Sequence, residues 1–361
     1  MANGKKPIAK ANPTPAAAAA PPGPMFFRDI LGQDGVLSRL RTALRQGRLA
    51  HAYLFLGPEG VGKSSTTRAL AGALNCTQPR EDGDACGTCP SCRRLLAGTH
   101  PDFLEILPTS EGRQPQIKIE QIREFRRLTA YPPVGGGWRV ALIKPAETMN
   151  DAAANCLLKT LEEPPPQHLL VLTAGVEDDL FPTVVSRCQK LAFSPLPYSL
   201  IIKELMARSR TQPQAALVAA LSGGSLGRAL SLDPGELAEQ RRQVLADLEE
   251  LPCGRLTQVL EWAGRLAKDA AKTDHFLLLA ELWYRDLLAL HFGANPGLLA
   301  HRDCLAELHQ ELARGRPEMW LAHFNSLAAA HRLLKANLNP ELTLDILGFR
   351  LQHPGYPYES R

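Results

Sequence analysis

Gly57-Pro-Glu-Gly-Val-Gly-Lys-Ser64 decides the fold. Glycines at 57, 60 and 62 allow backbone N–H groups to turn inward around phosphate oxygens with no Cβ in the way. Lys63 is placed to reach the β- and γ-phosphates and Ser64 to ligate Mg²⁺, while Pro58, Glu59, Val61 and Ser65 complete the loop and its exit. The flanks agree. The apolar run Ala52–Leu56 predicts a buried strand, and residues 64–74 have helical spacing, so bound phosphates would face a helix N-terminus. ATP or ADP, with Mg²⁺, is the expected ligand; a glycine-rich turn that binds nothing is the alternative.

A strand farther downstream breaks the pattern. Phosphoryl transfer in loops of this kind needs a carboxylate at the end of a neighbouring strand to hold Mg²⁺, followed by one that orients water. After Arg139-Val-Ala-Leu-Ile143 those two positions hold Lys144 and Pro145. Lysine has no acceptor for a metal and proline no side-chain base. The sequence therefore predicts a site that holds nucleotide but hydrolyses it weakly or not at all, with Lys144 supplying part of the charge Mg²⁺ normally brings. Asp102 and Glu105, around the β-rich run Phe103–Leu107, are the other carboxylates that could serve, although Glu147 and the helix after it keep the expected downstream order.

Farther on, Ala146-Glu-Thr-Met-Asn-Asp-Ala-Ala-Ala-Asn-Cys-Leu-Leu-Lys-Thr-Leu-Glu-Glu-Pro-Pro165 is followed by Leu170-Val-Leu-Thr173 and Ser186-Arg-Cys188. In these residues and in their order the chain resembles the clamp-loader branch of the AAA+ ATPases, over residues 26–361. The resemblance is to the branch's ATPase-deficient subunit type, in which the position of Lys144 is not the acid of the motor subunits. It implies that Arg187 is an arginine finger reaching the ATP of an adjacent subunit, a role suited to a planar guanidinium and worth roughly 10³–10⁵ in rate. It implies a sensor role for Thr173, although Ala174 follows where a small polar residue is usual. It also places Arg228 near the lid sensor arginine, displaced by one residue because Gly227 intervenes, which turns it by ~100° on a helix. Read without the family, Arg187 and Arg228 are surface cations. The implied partners are motor and delta subunits, a sliding clamp and primer-template DNA through the assembled complex.

Cysteine supplies a second constellation. Cys76 precedes Cys86-Gly-Thr-Cys89-Pro-Ser-Cys92, and four thiolates at tight-turn spacing among Gly83, Gly87 and Pro90 can converge on one tetrahedral Zn²⁺ with no open position for catalysis. A disulfide or a redox C-x-x-C is the alternative, disfavoured in a reducing compartment. Clamp-loader subunits commonly carry such a zinc module here, so the resemblance points the same way. Cys156, Cys188, Cys253 and Cys304 are scattered and read as small apolar packers.

The expected fold is α/β followed by all-α. Residues 1–24, with Lys5, Lys6, Lys10 and five alanines at 16–20, read as a disordered tail and a poor secretory signal. Residues 25–194 form the AAA+ P-loop domain, a parallel sheet carrying the zinc insert at 76–92. Residues 195–235, with Leu221-Ser-Gly-Gly-Ser-Leu-Gly-Arg-Ala-Leu230, read as a small helical lid, and residues 236–361 as a helical domain. Trp283–Leu288 and Asn337–Leu342 of the latter resemble the family's oligomerisation collar.

With 361 residues the chain exceeds the ~250–300 at which single cores stop growing. A formal charge of +4, from 41 basic and 37 acidic residues, is too mild for a dedicated nucleic-acid binder. The helix-spaced run Lys118–Leu128 carries Arg123, Arg126 and Arg127, but Glu120 and Glu124 dilute it, so a solvated face is expected; any DNA grip there would be on phosphates. No apolar run approaches the ~20 residues of a membrane span. A cytoplasmic location is expected.

Overall fold

The computed structural model describes residues 25–109, 115–336 and 338–353; the expected tail, residues 1–24, lies outside them. The described chain falls into two compact units, one ending at Leu56 and resuming over Lys63–Ala192, the other made of Gly57–Gly62 with the residues from Phe193 onward.

In the first unit five strands form one parallel sheet: β1 (Ala52–Leu56), β2 (Phe103–Ile106), β3 (Arg139–Ile143), β4 (His168–Ala174) and β5 (Gln189–Ala192), in the order β2-β3-β4-β1-β5. β1, β2 and β3 lie within a residue of their expected runs. β1, β3 and β4 are buried along almost their whole length, which is what continuous Val, Leu and Ile runs achieve when helices cover both faces. Six helices belong here: α1 (Asp34–Arg45), α2 (Lys63–Asn75), α3 (Pro90–Leu96), α4 (Ile119–Thr129), α5 (Asp151–Glu162) and α6 (Pro182–Val185). Leu54, Ile143, Leu157 and Leu172 are fully buried in the core between them. Parallel pairing aligns all five strand ends, Leu56 standing beside Ala174, and the loops that leave these ends are where α/β sheets bind ligands.

The second unit is helical: α7 (Tyr198–Ala207), α8 (Gln212–Leu221), α9 (Leu226–Ser231), α10 (Pro234–Glu250), α11 (Leu256–Leu266), α12 (Ala270–His291), α13 (Leu305–Arg314), α14 (Pro317–Lys335) and α15 (Pro340–Gln352). One apolar core runs through it from Leu196 and Ile201 to Leu347 and Leu351, with Trp262, Trp283, Tyr284 and Trp320 as its largest members. Among the described residues no helix is long and apolar enough to cross a membrane.

Asp102 and Arg139 hold the open edge of the sheet together. Asp102 is fully buried and accepts from Val134 N–H at 2.9 Å, Gly135 N–H at 2.8 Å and Arg139 Nη2 at 3.0 Å. Arg139 Nη1 also donates to the carbonyls of Leu128 and Tyr131. Removing one partner of a buried pair leaves the other charge uncompensated, so Asp102→Ala is expected to cost about 3–5 kcal/mol, read by urea unfolding. Burial pushes the Asp102 carboxyl up, but the N–H groups of Gly135 and Val134 and the Arg139 guanidinium outweigh it and hold it below the usual range. Its contribution is therefore present above the ordinary carboxyl value of about 3.9 and is lost as pH falls through the depressed one. Urea midpoints measured from pH 6 downward should fall in that window for the native chain and fall less for Asp102→Asn.

Candidate nucleotide site and metal centre

The phosphate loop needs its glycines twice over. Gly57, Gly60 and Gly62 have φ of +139°, +74° and +112°, a region side chains rarely adopt. A Cβ on Gly57 would also lie 2.3 Å from the Phe193 carbonyl oxygen, and one on Gly60 2.2 Å from Ser225 Oγ. α2 starts at Lys63, so Lys63, Ser64 and Ser65 form the first turn of the helix, where backbone N–H groups and the helix dipole favour phosphate.

The tip of this loop is bonded to α9: Gly227 N–H donates to the Gly60 carbonyl at 3.0 Å. A Cβ on Gly227 would come within 2.9 Å of Gly60 Cα, so this approach requires glycine. That explains the residue which displaces Arg228 from the family pattern. Arg228, its N–H capped by Ser225 Oγ at 3.0 Å, extends to Asp274 on α12 at 3.4 Å. Asp274 is in turn 3.0 Å from His331 Nε2.

At the end of β3 the Lys144 N–H continues the sheet by donating to Ile106 O. Its ammonium lies 3.6 Å from Glu105 Oε1, the oxygen that also accepts from Arg68 Nη2 at 2.7 Å. The two carboxylates considered as substitutes for the missing acids are thus both engaged by cations, Asp102 by Arg139 and Glu105 by Arg68 and Lys144. Lys144 itself is paired with a carboxylate, not left as a lone positive charge. Pro145 follows it across a cis peptide bond. Glu147, in the turn Ala146–Thr148, accepts from Gly175 N–H at 3.3 Å just beyond β4. Thr173 is buried one residue before the end of β4, in register with Phe55 of β1.

Arg187 follows α6. Its Nη1 donates to the Thr183 carbonyl at 2.9 Å and its Nη2 to Glu162 Oε1 at 2.6 Å, at the last residue of α5. Glu162 stands inside the run Ala146–Pro165; its only local signal is an acid closing a helix, and its proximity to Arg187 follows from the fold. On α4, Ile122 and Phe125 are buried while Arg127 is paired with Glu124 at 2.8 Å on the same exposed face.

The cysteines converge. Sγ atoms of Cys76, Cys86, Cys89 and Cys92 all lie within 4.8 Å of one another, and Cys86 and Cys92 are 3.9 Å apart. Four sulfurs at Zn–S distances of about 2.3 Å would be separated by about 3.8 Å in a tetrahedron, so this donor set fits zinc and is far from a disulfide bond of about 2.05 Å. Cys89 caps α3 and Pro90 starts it, while Gly83 and Gly87 have positive φ. The N–H groups of Thr88 and Cys89 donate to Cys86 Sγ at 3.4 and 3.3 Å. With the Thr88 hydroxyl, the first of these causes, they lower the Cys86 thiol to about 5, whereas burial pushes Cys92 up. The module is tied to the start of the chain: Asp84, fully buried, accepts from the N–H groups of Phe27 and Arg28, both at 3.2 Å. Away from the cluster, burial pushes Cys188 to about 12 and Cys304 to about 11, as expected of inert packers.

A five-stranded parallel sheet with a phosphate loop after β1, joined to a helical unit, is the architecture of the AAA+ P-loop proteins. Two family models match the chain, described as DNA polymerase III, delta subunit, over residues 32–197, and DNA polymerase III, delta subunit, C terminal, over residues 235–349. DNA polymerase III subunit delta′ of Pseudomonas aeruginosa is 41% identical over 205 residues, 56% of this chain and 61% of that protein. DNA polymerase III subunit tau of Bacillus subtilis is 28% identical over 352 residues, 90% of this chain and 61% of that protein. A DNA polymerase III gamma subunit-related protein of Thermotoga maritima, solved by crystallography, is 18% identical, covering 87% of this chain and 99% of that one with a TM-score of 0.38. Across these matches the chain is similar to DNA polymerase III subunits of the delta and delta′ kind. It spans 61% of the length of both curated relatives.

Zinc should be found at one per chain by elemental analysis of protein purified under reducing conditions. Cys89→Ser is expected to lower that content and to open residues 76–92 to protease, with the sheet surviving as judged by circular dichroism. A four-ligand site is worth roughly 10–16 kcal/mol in zinc-finger peptides, enough to order this short segment.

Proposed function

We propose that the chain is a clamp-loader subunit whose own nucleotide site is silent and whose Arg187 completes the site of a neighbour. The observation that carries the first half is the end of β3: Lys144 and Pro145 replace the acids, and the nearby Glu105 is engaged by Lys144 and Arg68. Neither lysine nor proline can hold Mg²⁺ or take a proton from water. The complete loop Gly57–Ser64 supports binding of ATP or ADP, with Mg²⁺ where Ser64 can ligate it.

Arg187 supports the second half. It stands 36% exposed at the end of α6, a position that a partner's nucleotide could reach. Assembly with motor and delta subunits fits the helical unit, where Leu256 and Leu260 of α11 and Leu342, Ile346 and Phe349 of α15 are 39–59% exposed at helical spacing. An apolar stripe of this kind marks a protein interface. In this reading residues 195–235 are a lid, residues 236–361 a collar, the cysteine cluster a structural zinc module, and the setting cytoplasmic. The sliding clamp and primer-template DNA are partners of the assembled complex, which opens the clamp and loads it. Thr173 takes the strand sensor position, and Arg228, one residue off the place of the lid sensor, is held by Asp274. The intact phosphate loop favours one competing reading, an active motor ATPase.

The two readings separate on a ranking. In the complex, Arg187→Ala should depress DNA- and clamp-stimulated ATPase, with a loss of ~10³ or more at the one site this chain faces, while Lys63→Ala has little effect. The isolated chain should bind nucleotide with negligible turnover. Robust turnover that Lys63→Ala abolishes, with Arg187→Ala harmless, would establish the motor reading.

A further inference from the structure

Leu161-Glu-Glu-Pro-Pro165 closes α5 and leads into β4. We infer that Glu162 is a positioning residue which aims Arg187 at the neighbouring subunit's nucleotide; the inference rests on the finger reading above. An arginine at the end of a four-residue helix is a long, rotatable arm. Two of its three acceptors, the Thr183 carbonyl at 2.9 Å and Ser186 Oγ at 3.4 Å, belong to its own turn and move with it. Among the described residues, only Glu162, 25 residues earlier and on α5, ties the guanidinium to a different element. That single contact converts a local curl into a direction fixed in the frame of the sheet and its helices.

The bond pattern leaves the cation usable. Nη1 serves Thr183 and Ser186, and Nη2 gives one bond to Glu162. The Nε–H and the second Nη2 hydrogen are not used by these contacts, and together they can bind two phosphoryl oxygens. Chemistry at a trans site depends on placing this group before the charge develops, and a displacement of about 1 Å can cost on the order of 10²-fold. A purely structural reading of the pair is weak, because Glu162 and Arg187 are 49% and 36% exposed and exposed ion pairs add little to stability.

The test uses the assembled complex with the phosphate-loop lysines of its other hydrolysing subunits replaced, so that only the site facing this chain turns over. Glu162→Ala and the isosteric Glu162→Gln should each lower kcat by roughly ten- to a hundredfold. KM for ATP, assembly by size exclusion and thermal midpoint should stay unchanged, and Glu162→Asp should recover part of the loss. Arg187→Ala should fall by ~10³ or more, and the double variant Glu162→Ala/Arg187→Ala should be no worse than Arg187→Ala alone, since Glu162 acts only through Arg187. Glu162 variants that leave kcat unchanged or raise it, or a double variant with additive losses, overturn the positioning role while the finger stands. A harmless Arg187→Ala overturns both.

Discussion

The buried pair of Asp102 and Arg139 sets the geometry on which the rest of the sheet edge depends. Asp102 precedes β2 and Arg139 begins β3, so their bond, together with the N–H groups of Val134 and Gly135, fixes where the two strands start. Register then follows without further choice: Phe103 opposes Val140, Glu105 opposes Leu142 and Ile106 opposes Ile143. Lys144, the next residue, is brought within ion-pair reach of Glu105 because of that register. A one-residue slip would turn Glu105 to the other face.

This register lets the strand end carry Lys144 where an acid is expected without loss of the sheet's shape. The position that elsewhere carries an acid here carries a cation, and a bare ammonium at the ends of parallel strands would disturb the packing around it. Glu105 and Arg68 absorb it into a three-member ionic cluster that joins α2, β2 and β3. The substitution is built into the edge of the sheet, so restoring an acid at 144 alone would place it against Glu105 as a like charge.

Much of this was legible in the chain. The three glycines and Lys63-Ser64 gave the loop, apolar runs gave β1, β2 and β3 to within a residue, and C-x-x-C spacing gave four converging thiols, because each is a short-range pattern with a period or a covalent spacing. The partnerships were not legible. Arg68 with Glu105, Glu162 with Arg187 and Asp274 with Arg228 join residues 37, 25 and 46 positions apart, brought together by strand order and helix packing. The displaced Arg228 illustrates the difference: its offset was visible, but its reason, the close approach of Gly227 to Gly60, required the folded chain.

Asp84 ties the cysteine module to the backbone at Phe27 and Arg28, and the Phe26 ring lies 2.9 Å from where a Cβ on Gly87 would stand. The first described segment of the chain is therefore clasped by a turn whose order comes from four sulfurs. A molecule synthesised when metal is scarce would present this end loosely, and loose ends are where proteolytic quality control takes hold. Where the four thiols hold a metal, its supply would in this way govern how long the chain survives, without touching any residue of the phosphate loop.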